Sequence, residues 1–191
     1  MTNKVDSREK ILQTASRLFQ LQGYHATGLN QIIKESGAPK GSLYHYFPNG
    51  KEELAVESVK YTGSFIETRI QGILDKVSDP IEAIQLFITE TASQFDDPES
   101  IEGIPVGLLA SETALISEPL RTVCLEAFKS WEAAFTRKLI QGGFEQKAAS
   151  RLAMLINSMI EGGIMLSLVN KDKTPLLLIA ENIPMLIGEK G

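Results

Sequence analysis

Apolar residues recur along this chain at spacings of three and four, punctuated by Gly, Pro, Asn and Asp. No stretch alternates as a half-buried strand does. The pattern predicts an all-α protein of about nine helices. Ile11, Leu12, Ala15, Leu18 and Phe19 form one stripe of a first helix, Ser7 to Gln22, closed by Gly23. Thr27 is positioned to N-cap a second, short helix that buries Leu29, Ile32 and Ile33. Gly37 then supplies the left-handed residue that a tight turn needs. A third helix follows from Pro39 to Phe47, with Leu43 and Phe47 inward.

A fourth helix runs from Lys51 to about Lys76. Asp79-Pro80-Ile81-Glu82 carries the N-cap, first-turn proline and N3 carboxylate that open a fifth. Asp96 to Gly103 is polar and acidic and reads as a loop; its carboxylates lack calcium-loop spacing, so no metal site is expected. Pro105 opens a sixth helix, Val106 to about Ile116, and Ser117 or Glu118 opens a seventh that Gly142-Gly143 closes. The eighth, Glu145 to Val169, is apolar on more than one face, and Gly162-Gly163 within it permits close approach of a helix or ligand. Thr174-Pro175 starts a ninth, which Pro184 is expected to bend or fray.

Charge changes the picture. The chain carries −5 overall, yet residues 1–51 carry +4 and the rest −9. A basic end on an acidic body permits local attraction to phosphate while discouraging indiscriminate coating of DNA. One cysteine, Cys124, leaves no internal disulfide and reads as a small buried hydrophobe. Neither a signal peptide nor an apolar run long enough for a bilayer is evident, which predicts a cytoplasmic protein without a membrane partner. No Ser/His/Asp set, phosphate loop or His/Glu metal spacing supports an enzyme, a metal or a cofactor.

The candidate chemistry lies on the third helix. Two short helices flanking Gly37 have the layout of a helix-turn-helix, whose second helix enters the major groove. Lys40, Gly41, Ser42, Tyr44, His45 and Tyr46 are left around its outer face, with a cation for phosphate and hydroxyl and imidazole groups for phosphate or base edges. By spacing alone the same residues fit an ordinary three-helix module with a polar surface.

The string Gly37-Ala38-Pro39-Lys40-Gly41-Ser42-Leu43-Tyr44-His45-Tyr46-Phe47, with Thr27 before it and Lys51-Glu52-Glu53-Leu54 after it, resembles the N-terminal domain of TetR/AcrR-type transcriptional regulators. The resemblance implies a DNA-binding domain over 1–50 and a helical effector-binding and dimerisation domain over 51–191. It implies double-stranded operator DNA as partner and, as contacts, Thr27, Lys40, Gly41, Ser42, Tyr44, His45 and Lys51. Phe-Pro-Asn-Gly-Lys departs from the common family form by one additional residue before Lys51. The resemblance also implies a homodimer through the two C-terminal helices, and repression relieved by a small hydrophobic effector. Phe65, Phe87, Phe128, Trp131, Phe135 and Met159 are the candidates to line its cavity; packing alone also accounts for them. With Gly103-Ile-Pro-Val-Gly107, the head motif resembles the LmrA/QdoR branch, which implies a flavonoid effector. A drug-sensing repressor of an efflux gene and a regulator answering to a protein partner are the alternatives.

Overall fold

The computed structural model describes residues 7–96 and 106–188. Among them are nine α-helices, a short 3-10 turn and no strand: α1 (Ser7–Ala26), α2 (Leu29–Ser36), α3 (Lys40–Tyr46), α4 (Lys51–Leu74), α5 (Pro80–Ala92), α6 (Val106–Thr113), α7 (Glu118–Gln141), α8 (Gln146–Asn170) and α9 (Thr174–Ile187). The described residues form two compact units, one of 7–64 with 106–127 and one of 65–96 with 128–188. The long helices α4 and α7 are each divided between them.

In the first unit α1 packs on α2, α3 and α6. Its core gathers Ile11, Leu18, Ile32, Leu43, Phe47 and Leu54, all fully or almost fully buried. Gly37 does adopt a left-handed backbone (φ 64°) at the end of α2. Arg8 ties the start of α1 to α4, pairing with Glu57 at 2.9 Å and lying over the Phe47 ring. The Lys60 ammonium, together with Arg8, holds the Glu57 carboxyl below the usual range.

Two expectations at the head are corrected. The α1 path continues to Ala26 across a kink at Gly23 (φ 80°), and Thr27 does not cap α2. The N-cap is Gly28, whereas the Thr27 hydroxyl donates back to the carbonyls of Gly23 (2.7 Å) and Leu18 (3.2 Å). The Thr27 side chain is wholly buried, and donation to these carbonyls gives its hydroxyl the partner that burial requires.

The second unit is built from α5, α8, α9 and the adjoining parts of α4 and α7. Asp79 caps α5 as its sequence requires, accepting from Ile81 N–H and Glu82 N–H at 2.8 and 3.0 Å. Gly163 is where α8 and α9 approach: a Cβ there would lie 2.6 Å from Ile179 Cδ1 and 2.8 Å from Leu176 Cδ2. Thr174 is the first residue of α9 rather than its cap, and its N–H donates to Asp172. The sixth helix ends at Thr113, earlier than expected, and Ser117 lies just before α7, its hydroxyl accepting from Leu120 N–H. Of the acidic stretch 96–103 only Asp96 is described, paired with Lys173 at 2.7 Å; residues 97–103 and the Pro105 helix start lie outside the described residues.

Pro184 does not end α9, which continues to Ile187. A proline at this position cannot donate to the carbonyl four residues back, that of Ala180. Gln85 of α5 supplies the missing donor, its Nε2 lying 2.8 Å from Ala180 O. Gln85→Leu is therefore expected to leave that carbonyl unpaired at a cost of about 1–3 kcal/mol. Urea unfolding checks this: the midpoint should fall with the m-value unchanged.

By length and composition alone α8 could cross a bilayer, contrary to the sequence expectation that no run sufficed. In the fold, 39% of its most apolar window is buried, and it packs along α9. The apolar excess arises because α8 carries a second, outward stripe.

Candidate DNA-binding face and effector region

The reading helix is set by its two buried anchors. Leu43 and Phe47, both wholly buried, fix the rotation of α3, so Lys40, Gly41, Tyr44 and His45 face solvent. Tyr44 is 48% exposed although it is a large aromatic, and the His45 ring packs edge-on against Tyr46 at 5.0 Å. Ser42 is partly covered. A Cβ on Gly41 would meet nothing within 4 Å, so the protein's own packing does not demand glycine there.

Thr27 falls outside this face. It has 0% exposure and its hydroxyl is committed to two main-chain carbonyls, so its side chain is not available to DNA in this conformation. Gly50, just before Lys51, takes a left-handed backbone (φ 74°). Glu53 reaches back to the Asn49 N–H at 2.8 Å, closing the turn that starts α4.

Lys51 is not a free surface cation. Its Nζ sits 4.5 Å above the Tyr24 ring and 3.5 Å from the carbonyl of His25. Burial lowers its pKa, while the nearby Glu112 carboxylate acts the other way. Tyr24 is pushed up by burial and then by Glu52. Glu112, from α6, accepts the His25 N–H at 3.0 Å and occupies the space over Gly23, where a Cβ would lie 1.9 Å from its Oε1. A second tie joins Ser117 to the first turn of α4, its hydroxyl donating to Glu52 at 2.6 Å. Sequence reasoning missed these ties because their partners lie 87 and 65 positions apart, and nothing in α6 marks Glu112 as inward.

The six effector candidates all belong to the second unit. Phe87 and Phe135 meet edge to face at 5.5 Å, as do Phe128 and Trp131 at 5.3 Å. Phe87, Trp131 and Phe135 are buried, Phe128 and Met159 partly so, and Phe65 is largely exposed. Sequence reasoning passed over Asn157 and Glu161, two polar residues at i, i+4 within the apolar α8. Asn157 is buried, and burial raises the Glu161 carboxyl to about 7. Their signal was legible as the one amide and the one carboxyl side chain between Leu152 and Val169. Burial likewise raises the Cys124 thiol to about 11, which keeps it protonated and unreactive at neutral pH. In the first unit a cavity of about 20 Å³ lies among Ser16, Gln20, Ser58, Thr62 and their apolar neighbours, room for one water and no effector.

Residues 11–57 match the family model described as bacterial regulatory proteins, tetR family. Residues 80–182 match the model for the C-terminal domain of LmrA/YxaF-like transcriptional regulators. The chain is 75% identical to the HTH-type transcriptional regulator YxaF of Bacillus subtilis (strain 168) over 191 residues, covering all of both chains. It is 56% identical to the HTH-type transcriptional regulator LmrA of the same organism, over 95% of this chain and 97% of that one. Among solved structures, the reduced form of E. coli NemR superposes with a TM-score of 0.86 over 97% of this chain and 99% of that chain, at 22% identity, which bears on the fold alone. These relatives are transcriptional regulators and not enzymes. The protein belongs to the TetR family of bacterial transcriptional regulators, with an LmrA/YxaF-like C-terminal domain.

Proposed function

We propose that this regulator is a cytoplasmic homodimeric repressor, bound to operator DNA through α3 and released by a small aromatic effector. The observation that carries the DNA contact is the outward face of α3. Lys40, Gly41, Tyr44 and His45 are exposed on a helix whose rotation is fixed by buried residues. Open space around Gly41 leaves its bare backbone accessible to close approach by an external surface. Lys40 and Ser42 suit phosphate, and Tyr44 and His45 suit phosphate or base edges. Lys51 lies at the start of α4, where helix N–H groups and a cation favour phosphate. DNA reading is assigned to 1–50, and effector binding and dimerisation to 51–191.

Dimerisation is supported by the second stripe of α8. Leu155, Gly162, Met165, Leu166 and Val169 recur on one face and are exposed, Val169 to 79%. Leu178 and Met185 of α9 are exposed as well, Met185 to 79%. A self-complementary pairing of α8 and α9 with their copies would cover both sets. Two heads so joined can read successive major grooves about 34–36 Å apart, and an effector that favours another spacing shifts the population off DNA.

The paired rings Phe87–Phe135 and Phe128–Trp131 support an aromatic effector, with Asn157 and Glu161 as polar groups able to orient it. A flavonoid has this mixture of flat aromatic surface and hydroxyl groups. The test is affinity for the gene's own upstream DNA at fixed salt, with and without a flavonoid panel. A tight complex loosened by a flavonoid is the expected result. A tight complex indifferent to the panel sinks the flavonoid and turns the search to hydrophobic drugs or a protein partner.

A further inference from the structure

We propose that Glu112 of α6 is a positioning residue for the DNA-reading head, acting through the Gly23–His25 turn on Lys51. The inference rests on the operator-binding reading above and adds a contact that controls it. Gly23 kinks α1, its backbone (φ 80°, ψ 173°) lying outside the helical region. The Glu112 carboxylate fills the space over that glycine and accepts the His25 N–H, a charge-assisted bond at 3.0 Å. The turn so held presents the Tyr24 ring and the His25 carbonyl, and these two groups cradle the Lys51 ammonium. Glu112 also attracts that ammonium directly, since its charge raises the Lys51 pKa against the effect of burial.

One carboxylate therefore fixes both the floor of the cradle and the cation in it. Lys51 begins α4 two residues after Asn49, beside the end of α3. A lysine held there meets a phosphate without first losing the rotamer freedom of a long side chain. With the turn loosened, the same cation must be ordered on binding. A purely structural Glu112 would instead lower affinity whatever stands at position 51.

The test is a double-mutant cycle on the full-length protein, with Glu112→Ala, Lys51→Met and both together, read as operator affinity at one fixed salt concentration. Glu112→Ala is expected to weaken binding about tenfold, the scale of one charge-assisted hydrogen bond. In the Lys51→Met background the same change should cost less than about twofold, because the group it positions is gone. Equal losses in both backgrounds would overturn the proposal, as would a Glu112→Ala protein that binds like the wild type. Should Glu112→Ala fail to fold, Glu112→Gln serves in both backgrounds, keeping an acceptor for His25 N–H but removing the charge near Lys51. It should then weaken binding only when Lys51 is present, and any other pattern overturns the proposal. A wild-type protein that bound no upstream DNA would instead remove the operator reading, and the inference with it.

Discussion

Leu166→Glu is expected to convert the protein to a monomer and to lower operator affinity by a factor on the order of 10²–10⁴, the loss that follows when two linked binding events become one. Leu166 is 57% exposed, so the fold of the single chain does not depend on it. In a two-fold dimer built on the α8 stripe each change occurs twice. The carboxylates would lose water on association, and no described basic side chain flanks position 166 on the stripe to receive them. Sedimentation should show a single species of about the 21.0 kDa chain mass, with helical content and melting temperature close to wild type. A gel shift should show the operator complex lost at protein concentrations that saturate it in the wild type. If Leu166→Glu remains dimeric, α8 is not the interface, and the exposed leucines and methionines of α8 and α9 require another explanation.

What was legible in the sequence is what local chemistry decides. Gly37 signals a left-handed turn because few other residues tolerate one, and it stands there at φ 64°. Asp79-Pro80 announces the start of α5 because cap, fixed φ and missing N–H all agree. The outward face of α3 could be read because Leu43 and Phe47 determine it by periodicity. Misreadings arise where a partner outside the expected local pattern overrides a residue's preference. Thr27 has the chemistry of an N-cap, yet its hydroxyl turns back to the main-chain carbonyls of Gly23 and Leu18. Pro184 has the chemistry of a helix breaker, yet Gln85 from α5 donates to the Ala180 carbonyl that the proline cannot reach. Glu112 is by local pattern an ordinary polar position on a short helix, yet it accepts a hydrogen bond from His25, 87 positions earlier. For Pro184 and Glu112 the decisive group is a hydrogen-bond partner brought in by tertiary packing, and for Thr27 it is the nearby main chain turned at Gly23; periodicity encodes neither.

The joint substitution Lys40→Ala with Tyr44→Ala is expected to weaken operator binding about a hundredfold, with dimer and fold intact. Both residues open onto solvent from α3, so their removal leaves no cavity. Each is assigned one contact, and a contact of this kind contributes about 1–2 kcal/mol, so two separate losses give roughly two decades. The contributions differ in kind, and salt separates them. Lys40 neutralises a phosphate, so Lys40→Ala alone should reduce the slope of log affinity against log salt by about 0.9 per lost contact at each head. Tyr44→Ala removes no cation, so it should lower affinity at every salt concentration with the slope unchanged. Tyr44→Phe then divides the tyrosine's share: recovery of binding assigns it to ring contact, and continued loss assigns it to the hydroxyl. A double variant that bound operator as tightly as the wild type at moderate salt would remove α3 as the reading helix. The basic charge of residues 1–51 would then have to act through another face, and Arg17 and Lys34, exposed on α1 and α2, would be the next to replace.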